Sequence, residues 1–500
     1  MRIIIFVLIF IVSLGAWGDS APHKVDVGSY FQKGVVEKKL PNGITLLMMN
    51  RGYSPTLSLH ISFRVGSSDE SYNTIGAAHI LEHMLFKGTE TLGTKDYEKE
   101  KKVLNRIEAV GETLDRLNME NPKSPSVPVL EKELKMLQKE HEAYTVSSPY
   151  DRIYTEIGGV GLNASTSKDM TGYYIQLPSA EIETWAKVES ERLKNPVLRE
   201  YYRERDNVME ERLMRTDSSG NGLLSEAFFA AAYSAHPYRH PVIGWASNIK
   251  HMSIHDIRKF YKDFYIPSRM TITIVGKQDV DETYRVVSKY FSDIKSGADP
   301  GEVKIIEPAQ TGEKRVEVFF KSQPFIIMGW KKPAGPDPVD LAFDVISTAM
   351  GDGKSSRLYR SLVLDKKIAS AVYTWNGAPG ARYNNMFLVY ASPAAGVSVE
   401  DLEKEILKEI SLFRDNVSNE ELDRVKSIAE SSFMFMMDSN ESIARNLSYY
   451  QTILKDWTYV ARYITDLNRV SVEDVKNAIN TYMTEKNRTV GILRDSRGEK

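Results

Sequence analysis

His79-Ile80-Leu81-Glu82-His83 puts two imidazoles and a carboxylate within five residues. On a helix, positions i and i+4 share a face, so the two rings converge about one turn apart, with Glu82 close by. Two neutral imidazoles can hold a divalent ion while the carboxylate takes a proton from a water on it. Zinc suits nitrogen–oxygen ligation and does no redox chemistry, which makes it the expected metal, one per chain. Composition alone would give roughly 0.02 such matches in this chain. Gly76, Ala77 and Ala78 lead into the motif, and Ile80, Leu81, Met84, Leu85 and Phe86 make the rest of the helix apolar. Titratable groups in such a helix are costly unless they serve a purpose.

A catalytic zinc normally takes three protein ligands and leaves a fourth position open. All nine histidines lie at or before His255, so the later part of the chain offers none. Residues 203–214 read as a helix on which Glu204 and Glu211, seven apart, share a face. Glu211 can serve as the third ligand, with Glu204 behind it as a tuning group. Spacing by itself leaves Glu210 open as an alternative.

The scaffold for these groups reads as α+β. Residues 56–65 alternate, with Leu57, Leu59, Ile61, Phe63 and Val65 on one side and Ser58, His60, Ser62 and Arg64 on the other. That pattern predicts a half-buried strand. Further strand-like runs occur at 170–177, 271–275, 314–320, 325–330, 370–376 and 385–391, between helical stretches. A repeat is also visible. Ser253-Ile-His-Asp-Ile-Arg followed by Thr271-Ile-Thr-Ile-Val is matched, 218 residues on, by Ser471-Val-Glu-Asp-Val-Lys and Thr489-Val-Gly-Ile-Leu. Two similar domains are expected, each a mixed or antiparallel sheet flanked by helices, at 19–294 and 315–500 with a linker at 295–314. The first carries an insertion at about 96–150, where Val103, Ile107, Val110, Leu114 and Leu117, and then Leu130, Leu134 and Leu137, recur at helical spacing. Asn121–Pro128 separates the two runs as a turn, which makes the insertion a helical hairpin.

Composition bounds the rest. Sixty-five basic against 67 acidic residues leave a net charge of −2, so no broad field draws the chain to nucleic acid or anionic lipid. Cysteine is absent, which excludes disulfides, thiolate nucleophiles and sulfur-ligated metals. Met1-Arg2, the apolar run Ile3–Leu14 and Ala16-Trp17-Gly18 together read as a secretory signal peptide at 1–18. The run is too short to span a bilayer, so an exported chain with no stable membrane span is expected, periplasmic if the source is a Gram-negative bacterium.

The inverted motif His79-x-x-Glu82-His83 resembles that of the pitrilysin/insulinase family of zinc metallopeptidases, especially its mitochondrial-processing-peptidase-like branch. Gly66-Ser-Ser-Asp-Glu70, Gly76–Thr89, Leu162-Asn-Ala-Ser-Thr166, Glu204-Arg-x-x-Val-x-x-Glu211, His236–Gly244 and Gly351–Leu358 extend the resemblance over about residues 35–495. It implies half of a closed clamshell, with Glu211 rather than Glu210 as third ligand and Glu82 as general base. It also implies that Asn163-Ala164, at a strand edge, clamps an extended peptide, for which a turn would be the plainer reading of Asn163. Two departures stand out. The insertion stretches the gap from His83 to Glu211 to 128 positions, and is expected to loop outward and leave the site intact. The Arg and Tyr with which many relatives hold substrate align here with Val363 and Ser370, which can do neither job. A dimer with a metal-free related chain that supplies the pair is therefore expected, with a homodimer as the alternative. The functional expectation is a zinc metalloendopeptidase acting on short or unfolded peptides; the alternative is a non-catalytic peptide-binding or scaffold subunit.

Overall fold

The computed structural model describes residues 27–52, 54–435 and 437–496, so the signal peptide expected at 1–18 lies outside the described residues. Its strands are β1 (Val35–Lys39), β2 (Thr45–Asn50), β3 (Thr56–Phe63), β4 (Val160–Thr166), β5 (Thr171–Pro178), β6 (Met270–Gly276), β7 (Lys314–Phe320), β8 (Phe325–Lys332), β9 (Ala369–Ala378), β10 (Asn385–Pro393) and β11 (Arg488–Asp495). The helices that bear on the site are α1 (Ala77–Met84), α2 (Tyr97–Glu120), α3 (Ser126–His141), α4 (Tyr201–Arg212), α5 (Gly220–Ala232), α6 (Ile254–Phe264), α7 (Pro338–Gly351), α8 (Asn440–Leu454) and α9 (Val472–Tyr482).

Among the described residues the strands form two sheets on one plan, in the orders β1-β2-β6-β3-β5-β4 and β7-β11-β8-β10-β9. β6 runs parallel to β2 and antiparallel to β3. β11 likewise runs parallel to β7 and antiparallel to β8. The helices before them, α6 and α9, both open with a reciprocal Ser–Asp capping box, Ser253 with Asp256 and Ser471 with Asp474. The 218-residue repeat is thus a repeated cap, helix and central strand. The fold is α+β with two similar sheets flanked by helices.

Each half lends the other a helix. α5, from the first half, lies across β7 and β11 and buries Leu224 and Phe228 with Ile327, Leu388 and Leu493. Glycine permits that approach: a Cβ at Gly329 would come 2.8 Å from the Phe228 ring. α8, from the second half, lies across β3 and β6 and buries Ile443, Ala444 and Leu447 with Leu47, Met49 and Val275. Each fully buried Leu, Ile or Phe contributes about 1.5–3 kcal/mol, so the exchange joins the halves strongly.

This exchange corrects the expectation for β3. Its polar side is not solvent-facing: Ser58, His60 and Ser62 are all buried, because α8 covers them. From α8, Ser448 donates a hydrogen bond to Thr273 on neighbouring β6 at 2.9 Å.

The insertion is the expected hairpin, α2 packed on α3, with Val103, Ile107, Leu114, Val127, Leu134 and Leu137 buried along the seam. Its turn is shorter than read from sequence. Helix α3 starts at Ser126, and Pro128 sits in its first turn, where a missing N–H costs nothing. A buried charge cluster fastens the hairpin to the body. Glu100 accepts hydrogen bonds from Arg199 Nε at 2.8 Å and Nη2 at 3.2 Å, and lies 2.8 Å from His141 Nε2. Arg199 also donates to the carbonyls of Lys87, Thr89 and Leu92, the chain just beyond α1.

Among the described residues no helix is long and apolar enough to cross a membrane.

Candidate metal centre

Helix α1 begins where backbone and side chain leave little choice. Gly76 has φ 103°, a conformation that disfavours a side chain, and a Cβ there would lie 2.9 Å from the Ile243 carbonyl oxygen. Glu70 caps the helix from outside, accepting from the Gly76 and Ala78 amides at 2.9 and 2.8 Å. Burial pushes Glu70 up to about 8 and pushes Lys168, the cation that faces it, down to about 8. With its start fixed, α1 packs on α4 and α6 and turns His79 and His83 toward α4.

There the three candidate ligands meet. Glu211 Oε2 lies 3.8 Å from His79 Nε2 and 3.6 Å from His83 Nε2, and all three ligand atoms fall within 4.8 Å of one another. Their side chains are only 12%, 27% and 15% exposed. Glu210, the alternative left open by spacing, is exposed on another face of α4.

The residues fit a zinc ion. The Glu211 oxygen is too far from either ring to hydrogen-bond, yet the separations approach the ~3.4 Å between two ligands of a tetrahedral ion with bonds near 2.1 Å. Burial pushes His79 down to about 3, so its imidazole is neutral and its lone pair free at neutral pH.

The groups around this cluster divide the work of orientation. Glu204 Oε2 lies 3.4 Å from His83 Nδ1, so Nε2 is the nitrogen left to face Glu211. Burial works to lower His83, but the carboxylates of Glu204, Glu82 and Glu211 outweigh it and raise the ring. Burial would raise Glu204, yet His83 and Lys87 hold it down to about 2. Lys87 bridges Glu204, at 2.5 Å, and Glu200, at 3.1 Å. Arg215 forms an ion pair with the other oxygen of Glu211, Oε1, at 2.8 Å. Glu82 is raised by burial and accepts a hydrogen bond from the Thr166 hydroxyl.

Thr166, Lys87 and Arg215 were not singled out from sequence. For Thr166 a signal existed. Along β4, Leu162, Ala164 and Thr166 are half-buried while Asn163 and Ser165 are exposed, the alternation of a strand. Thr166 therefore shares the inward face with Ala164, one step further along.

Among the described residues β4 is the edge of its sheet, paired only with β5, so its outer backbone groups are open to an added strand. Asn163 and Ala164 lie on it as expected, and Asn163 Oδ1 accepts from the Ala164 amide at 2.9 Å. Two cavities meet at Glu82 and His83. One, of about 740 Å³, runs from Asn163–Thr166 past Glu211 to Arg239 and His240. The other, of about 500 Å³, is walled by Phe86, Lys87 and the returning segment of the insertion, Thr145–Tyr150. The insertion thus leaves the cluster intact but, against expectation, borders it. Val363 packs against the second-half core, and Ser370 donates to the Ser392 and Pro393 carbonyls, so neither brings charge toward a substrate.

The chain is similar to known proteins over most of its length. Residues 46–118 match the family described as insulinase (peptidase family M16), and residues 251–429 match the one described as the peptidase M16 inactive domain. A zinc protease, PqqE, of Helicobacter pylori is 26% identical over 466 residues, covering 91% of both chains.

The chain belongs to the pitrilysin/insulinase family.

Other members are similar along nearly the whole length. The probable mitochondrial-processing peptidase subunit beta of Arabidopsis thaliana is 23% identical across 91% of this chain and 77% of its own. A crystal structure of a protease from Helicobacter pylori superposes with a TM-score of 0.77 at 25% identity, covering 92% of this chain and 99% of that one. The periplasmic protease PqqL of Escherichia coli shares the fold at 16% identity and a TM-score of 0.66, but this chain spans only 48% of it. Within the family matches, His79, Glu82 and His83 fall inside the first, whereas Glu204 and Glu211 lie between the two.

Proposed function

We propose that this chain is an exported zinc metalloendopeptidase that hydrolyses short or unfolded peptides. One observation carries the reading: two imidazole nitrogens and a carboxylate oxygen face a common point, with a second carboxylate, Glu82, beside it and an open strand edge alongside.

His79, His83 and Glu211 would hold the zinc. When bound, the metal lowers the pKa of a water toward about 7 and polarises a carbonyl. The free edge of β4, with Asn163 and Ala164, pairs with an extended peptide through backbone hydrogen bonds. Glu82 takes the proton of the attacking water and passes it to the leaving amine. The Thr166 hydroxyl keeps the carboxylate aimed. Glu204 fixes the ring of His83, and Lys87 fixes Glu204.

Export rests on the leader-like residues 1–18 and periplasmic placement on the likeness to PqqL, a periplasmic protease. A related partner chain is supported by the relative named as a beta subunit and by PqqL, a chain about twice as long that contains the same fold. The uncharged Val363 and Ser370 favour a partner that supplies positive charge. A non-catalytic, peptide-binding subunit is the second reading, favoured by the match of residues 251–429 to an inactive domain. Retention of His79, Glu82, His83 and Glu211 together weighs against it.

Metal analysis combined with a quenched peptide library tests the proposal on the chain alone and with any co-purified companion. The expected result is one zinc per chain and cleavage that stops on chelation and returns with zinc. A zinc-loaded chain that cleaves nothing in either state would leave the non-catalytic reading.

A further inference from the structure

The two cavities that meet at Glu82 and His83 differ in charge. On the 740 Å³ side, Glu226 is closed by a two-pronged contact from Arg212 at 2.7 and 3.1 Å. Buried Lys168 donates to the His240 carbonyl and faces Glu70. The remaining acids there, Glu82 and Glu211, belong to the metal cluster. Two arginines are left over. Arg215 spends one nitrogen on Glu211 Oε1, and its side chain is 74% exposed. Arg239 donates to the Ser234 carbonyl at 2.9 Å and, among the described residues, has no carboxylate in ion-pair range. A divalent ion held by His79, His83 and Glu211 would offset the charges of Glu211 and its neighbour Glu82, leaving Arg215 and Arg239 as excess positive charge on this side.

On the 500 Å³ side every cation among the described residues is held by a carboxylate. Lys87 is held by Glu200 and Glu204, Arg199 by Glu100, and Arg203 is shared between Glu142 and Glu200 at 3.6 Å. Asp151 at its edge has no partner among the described residues. A cleft with one sign of charge on one wall focuses that field on what enters it.

We infer that Arg215 and Arg239 form a carboxylate-recognising wall, so that the site prefers peptides bearing an acidic group on one side of the scissile bond only. This rests on the peptidase reading and names its substrate class. The carboxylate can be an Asp or Glu side chain or a peptide C-terminus, since both present the same two oxygens to an arginine fork.

Quenched peptides carrying a single Asp, Asn or Lys at each of three positions either side of the cleavage point test this. Free-acid and amidated C-termini separate the two sources of carboxylate. The expected result is kcat/KM about 5–10-fold higher for Asp than Asn on one side, shrinking with added salt as an exposed charge contact must. In Arg239→Gln and Arg215→Gln the Asp-to-Asn ratio should fall toward one. Zinc content is measured alongside, because Arg215 also touches Glu211. Equal rates for Asp and Asn on both sides, or a preference that survives in the double variant, overturns the inference. If no peptide is cleaved, the peptidase reading fails instead. Fluorescence-anisotropy Kd values of the same peptides on zinc-loaded Glu82→Gln then decide the charge preference separately.

Discussion

Glu204 Oε2 lies 3.4 Å from Nδ1 of His83, on the side of the ring away from Nε2, which faces Glu211 at 3.6 Å. The carboxylate therefore selects which nitrogen is presented and how the ring is turned. Glu204→Gln should weaken zinc affinity about 10–100-fold in a chelator competition, with the fold unchanged. Glu211→Gln should cost more, and Glu210→Gln should cost nothing. Equal losses at 210 and 211 would mean that α4 presents a different face from the one described.

Glu82 and Thr166 meet through a hydrogen bond that does not involve the metal ligands. Glu82→Gln should retain one zinc and lose hydrolysis by about 10²–10⁴-fold, the usual contribution of a general base. Thr166→Val should lower kcat by a smaller factor, about tenfold, with zinc content and KM little changed. Normal turnover in the Gln variant would remove Glu82 from its role.

The Glu100 cluster predicts how the insertion responds to acid. Burial works to raise Glu100, but His141 and Arg199 outweigh it and hold the carboxyl at about 2, below its ordinary 4.5. A group whose folded pKa is depressed contributes stability that is present above pH 4.5 and lost as pH falls through about 2. Thermal melts should therefore show an acid-side loss in the wild type that Glu100→Gln lacks. At neutral pH the Gln variant should be less stable by about 3–5 kcal/mol, since Arg199 is left buried without its counter-charge. Matching acid profiles would show that the cluster does not anchor the hairpin.

Asp344, on α7, has the opposite sign. Burial, reinforced by Asp340, pushes its carboxyl up to about 7, although it accepts hydrogen bonds from Asn376 at 2.8 Å and Tyr463 at 3.1 Å. A raised carboxyl favours the fold at low pH, and that contribution is lost as pH rises from about 3.8 through 7. Asp344→Asn should flatten this decline, gaining on the order of 1–3 kcal/mol at pH 8 relative to pH 5. Melting curves of the two proteins that run parallel across that range would contradict it.

Much of the site was legible along the chain because helical spacing is local. Five consecutive residues fix His79, Glu82 and His83 on one turn, and a seven-residue step fixes Glu204 and Glu211 on one face. The repeat was legible for the same reason, since the Ser–Asp caps at 253 and 471 and the strands after them are short-range patterns. What spacing could not decide was anything that depends on a neighbour far along the chain. Only packing of α1 on α4 turns Glu211 inward and Glu210 out. Only the exchange of α5 and α8 buries Ser58, His60 and Ser62, whose alternation with Leu57, Leu59 and Ile61 otherwise spells a strand with one wet face. Thr166 reaches Glu82, and Arg199 reaches Glu100, across 84 and 99 residues. Periodicity records which side of its own element a residue faces; what waits on that side is set by long-range burial, which no local pattern encodes.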